Sequence, residues 1–390
     1  LKRKIRIAIY SGEISSTTFI ERLIRGVADS GHAIFLFGAL NDRPSYPSEV
    51  RLISYKLNRL SKLFHLMRFS ILLTLFRTAD KKRLNALLKA QKRTDLYTKV
   101  KCYPVLWHKP DIFHVQWAKG LADWVWVKEF GIKLVLSLRG AHINYSPIAD
   151  EPLADMYRFN FPKVDGFHAV SEAIGCEAQK YGAIQEKIHV VYSGLPLDTE
   201  ITITKKDNKI FQIISVGRPH WKKGYSYALD ACKFLKAAGL QFEYTIIGAA
   251  NTIEYQYHIA DLGLENHVRL VGQQSFEQVQ NWIQESDLLI LPSVEEGIAN
   301  VVLEAMSWGT LVLSADCGGM REVVTDGKTG FLVPIRDVEA LADAVMRIQK
   351  LPVADVLEIR KRARMKILEQ HSEEGMVTGM LSVYYSLFCK

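Results

Sequence analysis

Short apolar, β-branched runs alternate with amphipathic stretches along most of the chain. "IRIAIYS" (5–11) leads through "FIERLIRGVADSG", where apolar residues recur three and four apart, to "AIFLFG" (33–38). "DIFHVQW" (111–117), "KLVLSLRG" (133–140), "GFHAVS" (166–171) and "IHVVYSG" (188–194) continue the series. A second series opens at "FQIISVGR" (211–218) and runs through "FEYTIIG" (242–248), "HVRLVG" (267–272), "DLLILP" (287–292) and "TLVLSA" (310–315). Such runs suit parallel strands buried on both faces, with the helical stretches between them as covering layers. The pattern therefore predicts an α/β protein with two doubly wound, Rossmann-like parallel-sheet domains, residues 1–200 and 201–370. The charged, turn-rich "DTEITITKKDNK" (198–209) is the expected linker. In open sheets of this kind ligands sit beyond the carboxyl ends of the strands, so functional residues should follow strands directly.

Composition changes this picture little. A chain of 390 residues fits two domains of about 150–200 residues each. Hydrophobic content of 48% with 24% charge is that of a soluble globular protein. Five scattered cysteines without a Cys-x-x-Cys pair argue against a disulfide framework or a zinc site and fit a reducing cytosol. The opening "LKRKIRIAIYSG" passes from a basic start into a strand, without the apolar core of a leader. Charge is more telling. Residues 51–101 hold 14 Lys and Arg against Asp80 and Asp95, a local balance of +12 within a chain of net +8.

Two stretches that follow strands carry candidate chemistry. In "VGRPHWKKG" (216–224), Gly217 frees the backbone, and Arg218 and Lys223 are spaced to address one anion. The stretch is neither a Walker A loop nor a G-x-G-x-x-G fingerprint. Two solvated basic residues explain it equally well when it is taken alone. In "SVEEGIANVVLEAMSW" (293–308), Asn300 can cap a helix that leaves Glu296 in the loop above a strand and Glu304 one turn in. Acids favour first turns in any case, yet Glu304 lies on an otherwise apolar helix and could accept hydrogen bonds from vicinal sugar hydroxyls. His114 and His168 fall inside strand patterns and read as buried, satisfied residues rather than catalytic ones. His142 follows a strand beside Gly140, and His220 lies next to Arg218.

Taken together, residues 211–334 resemble the nucleotide-binding domain of retaining GT-B glycosyltransferases of family 4. The resemblance rests on Gly-Arg…Lys-Gly (217–224), "YTIIG" (244–248), "VRLVG" (268–272), "LPSVEEG" (291–297), Glu296-x7-Glu304, "CGGMREVV" (317–324) and "DGKTGFLVP" (326–334). "PDIFHVQW" (110–117) and "VDGFHAVSEAIGCEAQKYGAIQEKIHVVYSGLPLD" (164–198) resemble the family's N-terminal domain, so the likeness covers nearly the whole chain. It implies two domains facing a cleft, with a C-terminal helix over about 371–390 returning to the first. It also implies transfer of a hexose, with retention, from a UDP- or GDP-linked donor to a glycan or glycolipid acceptor in cell-surface polysaccharide synthesis. Arg218 and Lys223 would hold the diphosphate, Glu304 the ribose and Glu296 the transferred sugar. Backbone amides of Gly297, Ile298, Ala299 and Asn300 would hold sugar and phosphate, and Leu270–Gly272 would flank the base. No metal or further cofactor is implied.

The chain departs from the family in its N-terminal half. Where a Gly-Gly pair is usual, the first loop reads Gly12-Glu-Ile-Ser15-Ser16, so Ser15 and Ser16 would have to meet the donor. Where a histidine is common, "LRGAHINYSP" offers both Arg139 and His142 near the anomeric carbon, and Gln116 replaces a second histidine. Within the basic segment, Leu60, Leu63, Phe64, Met67 and Ile71 share one helical face. Such a face can lie on an anionic membrane, at the inner side of the cytoplasmic membrane, or pack on the first sheet with its charges solvated. Nucleic-acid binding would need aromatics interleaved with the charge, and Phe64, Phe69 and Phe76 read as core. An epimerase or phosphorylase using the same cleft, or a non-catalytic scaffold, are the alternative readings.

Overall fold

The computed structural model describes residues 4–41, 44–197 and 210–388. The expected linker 198–209 lies outside them. The chain divides into two compact units. One comprises Leu1–Val170, Ile174–Gly194 and Glu373–Lys390, and the other Ser171–Ala173 and Leu195–Ser372.

In the first unit, seven strands form one sheet: β1 (Arg6–Ile14), β2 (Ala33–Leu40), β3 (Val50–Tyr55), β4 (Ile112–Val115), β5 (Lys133–Leu138), β6 (Gly166–Ala169) and β7 (Ile188–Val190). Every pairing is parallel, and the order is β3-β2-β1-β4-β5-β6-β7. Strand order reverses between β1 and β4, which opens a crevice at their carboxyl ends. Helix Thr18–Asp29 turns Ile20, Leu23, Ile24 and Val27 inward from a single face. The closing helix Glu373–Ser386 packs on it so closely that a β-carbon on Gly26 would stand 2.3 Å from Val377 Cγ2. Met380 and Tyr384 of that helix share a buried cluster with Ile7, Ile9 and Ile34. The opposite face of the sheet buries Phe113, Leu136, Trp124 and Leu106.

The basic segment supplies the edge strand β3 and then helices Arg59–Phe76, Thr78–Ala90 and Leu96–His108. The Asn58 side chain caps the first of these by accepting from Ser61 N at 2.8 Å. This helix meets the unit through His65, Phe69 and Leu73. The stripe of Leu60, Leu63, Phe64, Met67 and Ile71 points outward, each residue between 51% and 80% exposed. That excludes one of the two readings of the stripe, the one in which it packs on the sheet. It also corrects the reading of Phe64 and Phe76 as core, since only Phe69 is buried. One helix can bury only one face here, and the 65/69/73 row takes it. Among the described residues no helix is long and apolar enough to cross a membrane.

The second unit carries β8 (Phe211–Val216), β9 (Phe242–Ile247), β10 (Val268–Val271), β11 (Leu288–Leu291), β12 (Leu311–Ala315) and β13 (Phe331–Val333). All pair in parallel in the order β10-β9-β8-β11-β12-β13. Here the order reverses between β8 and β11, so the segments that follow these two strands frame the second crevice. Both segments are the ones that carried candidate chemistry.

Candidate active site

After β8 the backbone passes through Gly217 and exposed Arg218 into a single helical turn, Trp221–Lys223. The side chain of Lys223 crosses Gly217, with Cε 3.2 Å from where a β-carbon would stand. Two contacts hold this turn against the end of β11. Val294 N donates to the Lys222 carbonyl at 2.7 Å, and Gly224, at φ +66°, lies so close that a β-carbon would be 1.9 Å from the Pro292 carbonyl oxygen. The loop carrying Glu296 is pressed from its other side by Gly318. At φ +52°, an added β-carbon there would fall 1.7 Å from the Glu296 carbonyl oxygen. Only glycine meets both demands, a left-handed backbone and no side chain. The Gly319 amide then donates to the Gly297 carbonyl at 2.8 Å.

Between these clamps sits a buried carboxylate. Glu296, 8% exposed, accepts from Lys223 Nζ at 2.7 Å and Lys222 Nζ at 3.3 Å, with Ser293 Oγ donating at 3.3 Å. Burial pushes its carboxyl upward, but the two ammoniums outweigh that and hold it below the usual carboxylate range. Chemically, the arrangement is a pair of preorganised cations held by an internal counter-charge beside a glycine turn. An incoming dianion could share those cations.

The remaining candidates fall as follows. Helix Asn300–Ser307 follows the Glu296 loop with Ala299 at its cap position and no side-chain cap, so Asn300 is its first residue rather than its cap. Glu304 is half-buried on that helix. Gly272 follows β10 directly, and its carbonyl accepts from Gln274 Nε2 at 3.5 Å. Ser15, Ser16, Arg139 and His142 all belong to the first unit. The Ser16 amide is engaged by Glu21 Oε1 at 2.7 Å, a carboxylate that also accepts from Tyr46. Arg139 and His142 follow β5, and Arg139 Nη2 donates to Gln116 Oε1 at 3.3 Å. His114 and His168 are buried and bonded, as read from the sequence. Sequence reasoning missed Lys222 and Ser293. The doubled lysine of "WKKG" was the available signal, though nothing in it tells which ammonium turns inward.

A strand-order reversal lined by arginine, lysines and a buried glutamate thus lies in the second of two Rossmann-like parallel sheets, the pair of sheets found in the GT-B fold. Residues 198–367 match the model of "glycosyl transferases group 1", and residues 16–199 that of "glycosyltransferase family 4". Successive matches thus take in nearly the whole chain, which belongs to this group 1, family 4 class of glycosyltransferase enzymes. The amylovoran biosynthesis glycosyltransferase AmsK of Erwinia amylovora is 32% identical over 243 residues, 60% of this chain and 59% of AmsK. The aligned part thus spans less than two thirds of that relative. WcaL of Salmonella typhimurium, by name a colanic acid biosynthesis glycosyltransferase, is 25% identical over 416 positions, covering 98% of this chain and all of WcaL. Among solved structures, Anabaena HepE in complex with UDP and glucose superposes with a TM-score of 0.69 at 16% identity, over 98% of this chain and 100% of HepE. A glycosyltransferase from Rickettsia africae gives 0.71 at 17%, over 99% of both chains. At such identities the likeness speaks for the fold.

Proposed function

We propose that the chain transfers a hexose, with retention, from a UDP- or GDP-linked donor to a glycan or lipid-linked saccharide during assembly of a cell-surface polysaccharide. The observation that carries this reading is the Lys222–Glu296–Lys223 cluster at the strand-order reversal of the second sheet. The donor's diphosphate would draw Lys222, Lys223 and Arg218 onto its oxygens. Glu296, released from two partners, would then accept hydroxyls of the transferred sugar. Glu304 would hold the ribose, the amides of 297–300 the phosphate and sugar, and Leu270–Gly272 the base. As the bond from the anomeric carbon to the diphosphate breaks, the same cations stabilise the leaving group. Its oxygen takes the proton of the acceptor hydroxyl arriving on the same face. In this reading the cations meet the phosphate charge, and no metal is required. The names of AmsK and WcaL support the polysaccharide setting, and HepE's complex supports a uridine donor.

The basic segment would hold the enzyme at an anionic membrane surface, since the exposed stripe of helix Arg59–Phe76 stands on the chain's most cationic stretch. The donor reading is tested by a binding and hydrolysis screen of UDP-, GDP- and ADP-sugars on wild type and Glu304→Ala. Slow donor hydrolysis is expected in wild type and its loss in the variant. Near-wild-type turnover by Glu304→Ala would reject the assignment.

A further inference from the structure

The carboxyl ends of β4 and β5 carry a polar network that donor binding in the second unit leaves without a task. His114 bonds Tyr384 Oη and Ser137 Oγ, each at 2.8 Å. Ser137 Oγ meets His168 Nδ1 at 2.9 Å, and His168 Nε2 reaches the Val191 carbonyl at 3.0 Å. All of these side chains are neutral. Burial drives both imidazoles far below their ordinary range, His168 to about 3, and raises the Tyr384 phenol.

Arg139 stands beside this network. Its guanidinium lies over the Phe19 ring at 4.3 Å, and among the described residues no carboxylate pairs with it. Burial, opposed only by Tyr384, brings it down to about 9. Its Nε is shut off from solvent without a partner, and so are Gln116 Nε2 and His142 Nδ1. Gln116 turns its oxygen to Arg139 and Ser137, at 3.3 and 3.4 Å, so its amide nitrogen must face elsewhere. Trp117 joins the group, its ring 5.4 Å from that of His142 and 6.1 Å from Phe19. The deficit therefore has a sign: Arg139 Nε and Gln116 Nε2 are donors without acceptors beside one uncompensated positive charge, near the reversal point of the first sheet, while His142 Nδ1 donates or accepts according to its tautomer. The cavity next to Arg139, lined by Phe19, His168, Tyr192 and Met376, has about 10 Å³ free. That is room for roughly one water and too little for a carboxylate or phosphate; Arg139 is only half-buried, and an anion would reach it from its exposed side.

We infer that Arg139, Gln116 and His142 form a subsite for one anionic group of a substrate, a carboxylate or phosphate attached to sugar. The inference rests on the glycosyl-transfer reading and narrows its substrate class. Arginine suits the task because its planar fork matches both anions.

The test is calorimetric titration of wild type, Arg139→Gln and Arg139→Lys with UDP, UDP-glucose, UDP-glucuronate and inorganic phosphate. A second set of titrations, in the presence of UDP, uses methyl glucuronide and methyl glucoside. We expect at least one anionic probe to lose on the order of 100-fold in affinity in Arg139→Gln, with partial recovery in Arg139→Lys and no change for methyl glucoside. Weakened UDP places the anion on the donor diphosphate. A preference for UDP-glucuronate over UDP-glucose that vanishes in Arg139→Gln places it on the transferred sugar, and loss of methyl glucuronide or phosphate binding places it on the acceptor. Equal affinities in wild type and Arg139→Gln for every anionic probe overturn the inference, while UDP binding by wild type keeps the donor reading intact. If wild type binds no nucleotide, the donor reading fails by itself, and the phosphate and glucuronide titrations still decide the subsite. Arg139→Gln without ligand should unfold at or above the wild-type temperature, since an uncompensated charge has gone. A lower midpoint that Arg139→Lys restores, with unchanged probe affinities, assigns the arginine to the fold.

Discussion

Lys223→Met offers the sharpest check on the energetics of the lysine–glutamate cluster. The substitution keeps most of the apolar stem and removes the ammonium 2.7 Å from Glu296, leaving Lys222 at 3.3 Å. Breaking a buried ion pair costs about 3–5 kcal/mol. The remaining lysine, and lysine side chains that are 18% and 19% exposed, reduce this to ~2 kcal/mol. For a unit of this size that lowers the unfolding midpoint by about 4–8 °C. The pH dependence carries more information than the size. In wild type the Glu296 carboxyl titrates below its unfolded value, which is about 4.3. Its stabilisation is therefore complete above that pH and fades as pH falls through the folded pKa. With Lys223 gone, burial prevails and the folded pKa moves above the unfolded one. The carboxyl then favours the folded state only when protonated, and that benefit disappears as pH rises through the new pKa. The gap between wild type and variant should be widest near pH 7.5 and narrow towards pH 4. Thermal unfolding followed by circular dichroism at several pH values reads this directly. Adding Glu296→Gln to Lys223→Met should recover most of the loss at pH 7.5. A gap independent of pH, or a double variant no more stable than the single one, refutes the reasoning.

Other outcomes follow from features described above. Gly318→Ala should cost about 1–2 kcal/mol for the left-handed backbone alone, and more for the collision with the Glu296 carbonyl, so donor hydrolysis should fall steeply with a lowered unfolding midpoint; unchanged hydrolysis would show that the Glu296 loop is not held from that side. Leu63→Glu with Phe64→Glu should abolish co-sedimentation with phosphatidylglycerol vesicles without lowering the unfolding midpoint, because both residues are exposed. Wild type that ignores anionic vesicles as it ignores phosphatidylcholine ones would reject the membrane contact.

Much of the fold was legible because buried parallel strands leave long apolar runs, and these also located the segments that follow β8 and β11. Two strands escaped. "VRLISY" forms β3 at the sheet edge and carries an exposed arginine within a charged stretch, while β13 is only three residues long. Composition could not tell which face of helix Arg59–Phe76 turns inward, since His65, Phe69 and Leu73 compete with an equally apolar row. The pairing of Lys222 with Glu296 was hidden as well, because it depends on how two loops 74 residues apart are pressed together. Asn300 has the composition of a cap, yet the loop before it, pinned by the Gly319–Gly297 hydrogen bond, places Ala299 there.

The return of helix Glu373–Ser386 to the first unit bears on synthesis. During translation the first sheet emerges long before Met380 and Tyr384, which complete one of its cores and bond His114. Until those residues leave the ribosome, helix Thr18–Asp29 presents an apolar flank with nothing to cover it. The first unit can therefore mature only after the second has been made. A premature stop within the last twenty codons of this sequence would damage the half of the enzyme that was translated first.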